Sequence, residues 1–283
     1  MKWDLAFRRL LLIYQMPKTG SQTIEATLQC CSLPHQIFRF HYLSPATGSK
    51  VSDVLKSDKT DEAWKQIAKE QMETADLLLK TIRVRKILRW CGMPIPKLEI
   101  ISGVRESIGL ALSSIFQNYR YFAHDVNGLT VEVCRKALMR PAMFTALENW
   151  FDQELGRFFD IDVFRTVFRR QKGYAFYENH HARVMVYRFE ALPSLPKMLH
   201  EFLGCEVPEV IHRNVGSSKG YADQYAYVRE HLHLPAALIE EKYSTPTMKH
   251  FYSNRERRAF ALRWSEGDQS PTTELSHGHA LFQ

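Results

Sequence analysis

The chain of 283 residues has no apolar run approaching the ~20 residues that span a bilayer. Its first apolar run, Leu10 to Tyr14, is too short for the core of a signal peptide. Cysteine is scarce: Cys30, Cys31, Cys91, Cys134 and Cys205 form an odd set of five with no CxxC spacing. That argues against a disulfide framework and a zinc site, and fits reduced thiols. There is no internal repeat, and 45% hydrophobic with 24% charged residues exclude a disordered or collagen-like chain. An acidic excess is also missing. Lys and Arg number 38 against 31 Asp and Glu, a net charge of +7. This balance points to anionic partners such as phosphate or sulfate esters, acidic glycans or nucleic acid, or to a solvated basic surface.

Along the chain, short apolar runs alternate with helical patterns. Leu10–Tyr14 reads as a buried parallel strand, followed by a helix from about Gln22 to Cys31. Ile37–Tyr42 alternates like a second strand, and Ser44–Lys50 is a loop by composition. Residues from about Thr60 to Trp90 carry an apolar stripe at spacings of three and four and close on Arg83, Arg85, Lys86 and Arg89. Leu98–Ser102 is a third strand, with a helix from about Glu106 to Tyr119 and another from Ala142 to Phe159. Ala182–Phe189 is a strand and Leu195–Leu203 the helix after it. From Tyr221 to Trp264 the pattern is helical with breaks near Pro235 and Pro246. The order predicts an α/β fold, a P-loop-like parallel sheet flanked by helices with a mostly helical C-terminal extension. Residues 1–264 are expected to form one domain and 265–283 a disordered tail.

The most informative segment is the turn after the first strand, Pro17-Lys18-Thr19-Gly20-Ser21-Gln22-Thr23. A strand, a tight loop with Lys, Gly and hydroxyls, and a helix start build an anion site from successive backbone N–H groups and the positive helix end. Gly20 allows the chain to pass close under an oxygen, and Lys18 adds a mobile charge. The Walker A pattern GxxxxGK[ST] is absent, because its first Gly is missing and Lys precedes Gly.

This loop resembles the 5′-phosphosulfate-binding loop of sulfotransferases, whose usual form is PKxGTT or PKTGST. A second likeness lies at Ile100–Arg105, where Arg105 ends a strand and Ser113 follows eight residues later, the family's pattern for a 3′-phosphate. Val184–Leu192 resembles the family's late strand, and Arg213–Tyr221 is similar to a Gly-containing basic loop over the cofactor that would offer Ser217 and Lys219. Phe158–Asp162 and His250–Asn254 resemble a carbohydrate sulfotransferase-like group labelled as capsular polysaccharide synthesis proteins. The likeness runs from about Leu11 to Trp264, and Gln22 stands where many members have Thr or Ser, so its contact would be through backbone.

The resemblance implies a sulfotransferase that moves a sulfuryl group from 3′-phosphoadenosine 5′-phosphosulfate to a carbohydrate hydroxyl. It implies Lys18 at the leaving phosphate, the backbone of Thr19, Gly20, Ser21, Gln22 and Thr23 around the phosphosulfate, and Arg105 with Ser113 at the 3′-phosphate. No metal is implied, and no ligand cluster for one is visible in the sequence. Two residues compete as base for the acceptor hydroxyl: His41, whose ordinary pKa suits neutral pH, and Glu25, one turn into the helix after the loop. His124, His180 and His181 rank below them. Arg39, His41, Tyr42, Arg120 and Tyr121 are candidates to line an acceptor cleft. The competing readings are a P-loop-type nucleotide kinase and a non-catalytic binder of acidic glycan or nucleic acid. No nucleic acid partner and no membrane segment are expected, and the chain reads as cytoplasmic or as the catalytic part of an anchored protein.

Overall fold

The computed structural model describes residues 3–43, 62–213 and 220–265. Along the chain run β1 (Leu10–Tyr14), α1 (Ser21–Gln29), β2 (Gln36–Phe40), α2 (Glu62–Trp90), β3 (Leu98–Val104), α3 (Ser107–Gln117), α4 (Val131–Leu138) and α5 (Ala142–Glu148). A π-helical turn, Phe151–Gly156, leads to β4 (Tyr174–Glu178), β5 (Ala182–Arg188) and α6 (Leu195–Leu203). Then come α7 (Ala222–His231), α8 (Ala236–Tyr243), α9 (Pro246–Phe251) and α10 (Asn254–Trp264). The fold is α/β, as the alternation of strand and helix predicts. The chain divides into two compact units, Met1–Arg105 with Ala146–Ile211, and Glu106–Thr145 with His212–Gln283.

The first unit holds the whole sheet, in the order β2-β1-β3-β5-β4. β2, β1, β3 and β5 are mutually parallel, and β4 closes the edge antiparallel to β5. Every residue of β1 is buried, which explains its continuous apolar run. Alternate side chains go to opposite faces. Leu11 and Ile13 join Ile24 and Leu28 of α1 and Leu195, Met198, Leu199 and Phe202 of α6 in one core. On the other face Tyr14 meets Trp150 and Phe159, with ring centroids 5.1 and 5.6 Å apart. The chain leaves β1 for β2 on one side and returns to β3 on the other. The loop after β1 therefore lies at the carboxyl ends of the strands, where the strand order reverses, the usual crevice of such sheets.

Two expectations change. The sheet is not wholly parallel: Tyr-Ala-Phe-Tyr-Glu at 174–178 is a strand held in a hairpin with β5, where the sequence pattern alone shows no clear strand. The single helix expected over Ala142–Phe159 is broken, because the chain shifts into the π-helical turn at Phe151. The basic cluster at the end of α2 is engaged with backbone carbonyls of the fold. Arg85 donates to the carbonyls of Ala6 at 2.7 Å and Arg8 at 3.0 Å, Lys86 to Phe158 at 3.0 Å and Arg89 to His180 at 2.5 Å. Burial lowers the pKa of Arg85 to about 10. In the second unit, α4 is an element beyond those expected from the sequence, although Thr130 signals its start by accepting from Val133 N.

That second unit is helical. Glu106 caps α3 by accepting from Ile108 N at 3.0 Å and Gly109 N at 2.8 Å, and it also accepts the Tyr243 hydroxyl at 2.8 Å. Lys242 is buried with its ammonium 4.5 Å from the centre of the Phe144 ring. Ser253 and Glu256 form a reciprocal capping box at the start of α10.

Gly103 of β3 lies in register with Tyr187 of β5, and a side chain there would meet the Tyr187 ring at 2.7 Å and Thr19 Cβ at 3.0 Å. Gly103→Ala is expected to cost about 1–3 kcal/mol through this crowding. Urea denaturation measures it, and a cost below a few tenths would mean that the contact relaxes freely.

Candidate functional site

The loop from Gln15 to Gly20 is built on two residues in the left-handed region, Lys18 at φ 66° and Gly20 at φ 91°. For Gly20 this conformation is ordinary; for Lys18 it is strained and must be held by neighbours. Several hydrogen bonds hold it. Thr19 Oγ1 donates to the Met16 carbonyl at 2.6 Å, and the Tyr187 hydroxyl donates to the Thr19 carbonyl. The Gln15 side chain also meets the Tyr187 oxygen at 3.0 Å. One phenol proton serves one acceptor, so the Gln15 amide turned to donate through its nitrogen completes the set. Arg105, at the end of β3, donates from Nη1 to the Lys18 carbonyl at 3.2 Å and stacks 4.4 Å over the Phe189 ring.

The next helix, α1, starts without a side-chain cap, since Gly20 occupies the N-cap position, and no acidic residue lies in its first turn. This is the condition for an external anion at a helix start. α3 is the opposite case, its first amides taken by Glu106. Thr19, Ser21 and Thr23 are buried, Gly20 is half-buried and Gln22 is exposed. A Cβ at Gly20 would come within 2.7 Å of Leu192, so the bare backbone there is also a packing requirement.

His41 follows β2 and is half-buried. Its Nδ1 lies 2.9 Å from the Gln15 carbonyl. A carbonyl only accepts, so Nδ1 carries the proton and the neutral ring keeps its lone pair on Nε2. Burial lowers the His41 pKa to about 4; the bond to Gln15 works against this, and the positive charges of Arg39 and Lys18 add to it. Lys18, Arg39 and His41 thus share one electrostatic neighbourhood. Glu25 is committed differently, accepting from Arg39 Nε at 2.7 Å.

The first unit therefore brings together the loop from Lys18 to Thr23, Arg105, His41, Glu25 and Arg39. Ser113 lies half-buried on α3 of the second unit, and Arg120 and Tyr121 lie in that unit's short turn. Ser217 and Lys219 fall outside the described residues. His180 and His181 sit beside the start of β5, where Arg89 uses the His180 carbonyl. Tyr187 and Arg188 carry no functional signal in the sequence, though both stand in the strand Ala182–Phe189. Glu154 has only a faint one, an acid in an amphipathic pattern. Among the described residues, no group of three His, Cys, Asp or Glu side chains could hold a metal ion, and no helix is long and apolar enough to cross a membrane.

Strand, strained loop and uncapped helix define an α/β protein with an anion-disposed turn at the switch point of its sheet. A family model described as "NKWYS: Putative capsular polysaccharide synthesis protein" matches residues 124–253, less than half of the chain. The match supports the capsular group suggested by Phe158–Asp162 and His250–Asn254, and leaves the loop at Lys18 and Arg105 outside it. No curated protein and no solved structure matches the chain.

The low pKa of His41 has a consequence for stability. The unfolded chain takes up this proton near pH 6.5, the folded one near 4. Between those values the unfolded state binds more protons, so the stability present above pH 6.5 is lost as the pH falls toward 4. His41→Asn is expected to flatten this dependence by up to about 1.4 kcal/mol per pH unit. Urea melts of both proteins from pH 7 to 4.5 measure it, and equal slopes would show that the ring is not shut in.

Proposed function

We propose that the protein is a sulfotransferase that moves a sulfuryl group from 3′-phosphoadenosine 5′-phosphosulfate to a hydroxyl of a carbohydrate acceptor. The observation that carries the reading is the loop of β1, with Lys18 and Gly20 both left-handed and an uncapped helix behind them, joined by Arg105. The capsular polysaccharide family match supports a glycan acceptor. The P-loop-like character of the turn is part of this proposal.

In this mechanism the backbone N–H groups from Thr19 to Thr23 hold the phosphosulfate, and Lys18 faces the oxygen that bridges sulfur to phosphorus. Arg105 offers a planar fork to the 3′-phosphate, which sets this donor apart from ATP. The acceptor oxygen forms a bond to sulfur as the bond from sulfur to the bridging oxygen breaks in line. The hydroxyl proton passes to His41 Nε2, and the charge left on the phosphate is met by Lys18. His41 is preferred to Glu25 because Glu25 is paired with Arg39 while His41 presents a lone pair fixed by Gln15. A bound anion at Lys18 would offset one of the positive charges that hold the His41 pKa down, and so strengthen the base when the donor is in place.

Thermal shift with 3′,5′-adenosine bisphosphate tests the donor. At 100 times the dissociation constant the ligand adds about 2.7 kcal/mol of stability. Lys18→Ala and Arg105→Ala are expected to weaken that gain. An equal gain from ATP with magnesium, or none from the bisphosphate, would overturn the reading in favour of a kinase or a non-catalytic binder. With radiolabelled donor and a panel of polysaccharide acceptors, His41→Ala is expected to retain donor binding and lose about 10²–10⁴-fold in turnover. Glu25→Ala should retain most of it, and the reverse pattern would move the base to Glu25.

A further inference from the structure

His41 sits at the end of β2 with nothing of its own strand beyond it, yet its ring meets Gln15 at a defined distance. The segment His41–Leu43 is fixed by the π-helical turn. Glu154, in the middle of that turn, is 1% exposed. Its Oε2 accepts from Leu43 N at 2.8 Å and from the Tyr14 hydroxyl. Burial first, and the Glu154 charge second, raise the pKa of Tyr14, which keeps that phenol a donor. Trp150, one residue before the turn, donates from Nε1 to the His41 carbonyl at 2.7 Å. One short stretch of chain thus grips the end of β1 and the backbone that leaves His41.

A continuous α-helix would not carry the same set of side chains in the same directions, because a π-helical turn adds a residue and rotates the residues after it. Such turns recur at functional sites. A buried carboxylate is expensive unless every bond it makes serves a purpose. Here both donors belong to elements that frame the His41 ring, and an apolar residue of similar volume would leave Leu43 N and Tyr14 unpaired.

We propose that Glu154 is the positioning residue of His41: it anchors the His41–Leu43 segment so that Nδ1 is held to Gln15 and Nε2 is presented for proton transfer. The inference deepens the assignment of His41 as base and rests on that reading for its catalytic meaning, while its structural content is read from His41 directly. The charged groups that face the ring are Arg39 of β2 and Lys18 of the loop, with Glu154 acting through Leu43.

The test follows the imidazole of His41 by ¹⁵N NMR in the ligand-free full chain. In the wild type the titration midpoint is expected at about 4 with the proton on Nδ1. Glu154→Ala frees the segment, and Glu154→Asp is too short by one methylene to reach both donors. Each is expected to hydrate the ring and raise the midpoint by about one pH unit or more toward 6.5, with mixing of the two tautomers. Glu154→Gln keeps an oxygen at the same place and is expected to leave midpoint and tautomer as they were. If the Ala variant does not fold, the Asp variant carries the measurement, with Trp150→Phe, which keeps an aromatic ring against Tyr14 and removes the donor to His41, as its companion. A folded Ala, Asp or Trp150→Phe variant with the wild-type midpoint overturns the proposal. So does a Gln variant that shifts as far as Ala, since charge rather than position would then be at work. Binding of 3′,5′-adenosine bisphosphate is read separately, so failure of the donor assignment and failure of this inference are distinguishable.

Discussion

The Tyr187 phenol reaches past β3 to the carbonyl of Thr19, and it can do so only because position 103 has no side chain. The loop after β1 depends on that contact. Lys18 is held in a backbone conformation that a lysine does not choose, at a cost of order 1–3 kcal/mol. The bonds from Tyr187 to Thr19, from Thr19 to Met16 and from Arg105 to Lys18 offset it. The first comes from β5 and the third from the end of β3, which the sheet holds rigidly, while the second closes the loop on itself. Three parallel strands, β1, β3 and β5, thus converge on the loop from Gln15 to Gly20.

Charge is distributed according to the same logic. The cations at the end of α2 are spent on backbone carbonyls, and Arg39 on Glu25. Arg105 both braces the loop and stands beside it, bonded to Lys18 and stacked on Phe189 at the carboxyl end of the central strand. Around the loop the helix start adds positive potential, with no acid in its first turn. A surplus of +7 is then less informative than where the uncommitted part of it lies.

His41 and Glu25 are separated by their partners rather than by their intrinsic chemistry. Both lie near the loop, and ordinary pKa values alone favour neither decisively. Glu25 accepts from a guanidinium, whereas His41 gives its Nδ1 proton to a carbonyl and keeps Nε2 open. Burial, with the charges of Arg39 and Lys18, keeps the ring neutral. The aromatic packing of Tyr14 on Trp150 and Phe159 keeps the π-helical turn against the strand ends where these residues sit.

The α/β class, four of the five strands, the helix α6 and the loop with its Lys and Gly were legible in the residues, because local patterns carry them: continuous apolar runs, helical spacing, and glycine where φ is positive. The capsular group was legible in short stretches that the family match covers. The edge strand β4 was not, since five residues with two charged or small members look like loop until a partner strand supplies the hydrogen bonds. The π-helical turn, the capture of Glu25 by Arg39 and the hold of Tyr187 on Thr19 were not legible either. Tyr187 and Thr19 are 168 residues apart, and Glu154 and Leu43 are 111. The sequence by itself determined the α/β alternation, most of the elements and the Lys-Thr-Gly composition of the loop. Only the tertiary structure decided which side chains meet there, because hydrogen bonds between distant residues depend on strand order and register, which no local pattern encodes.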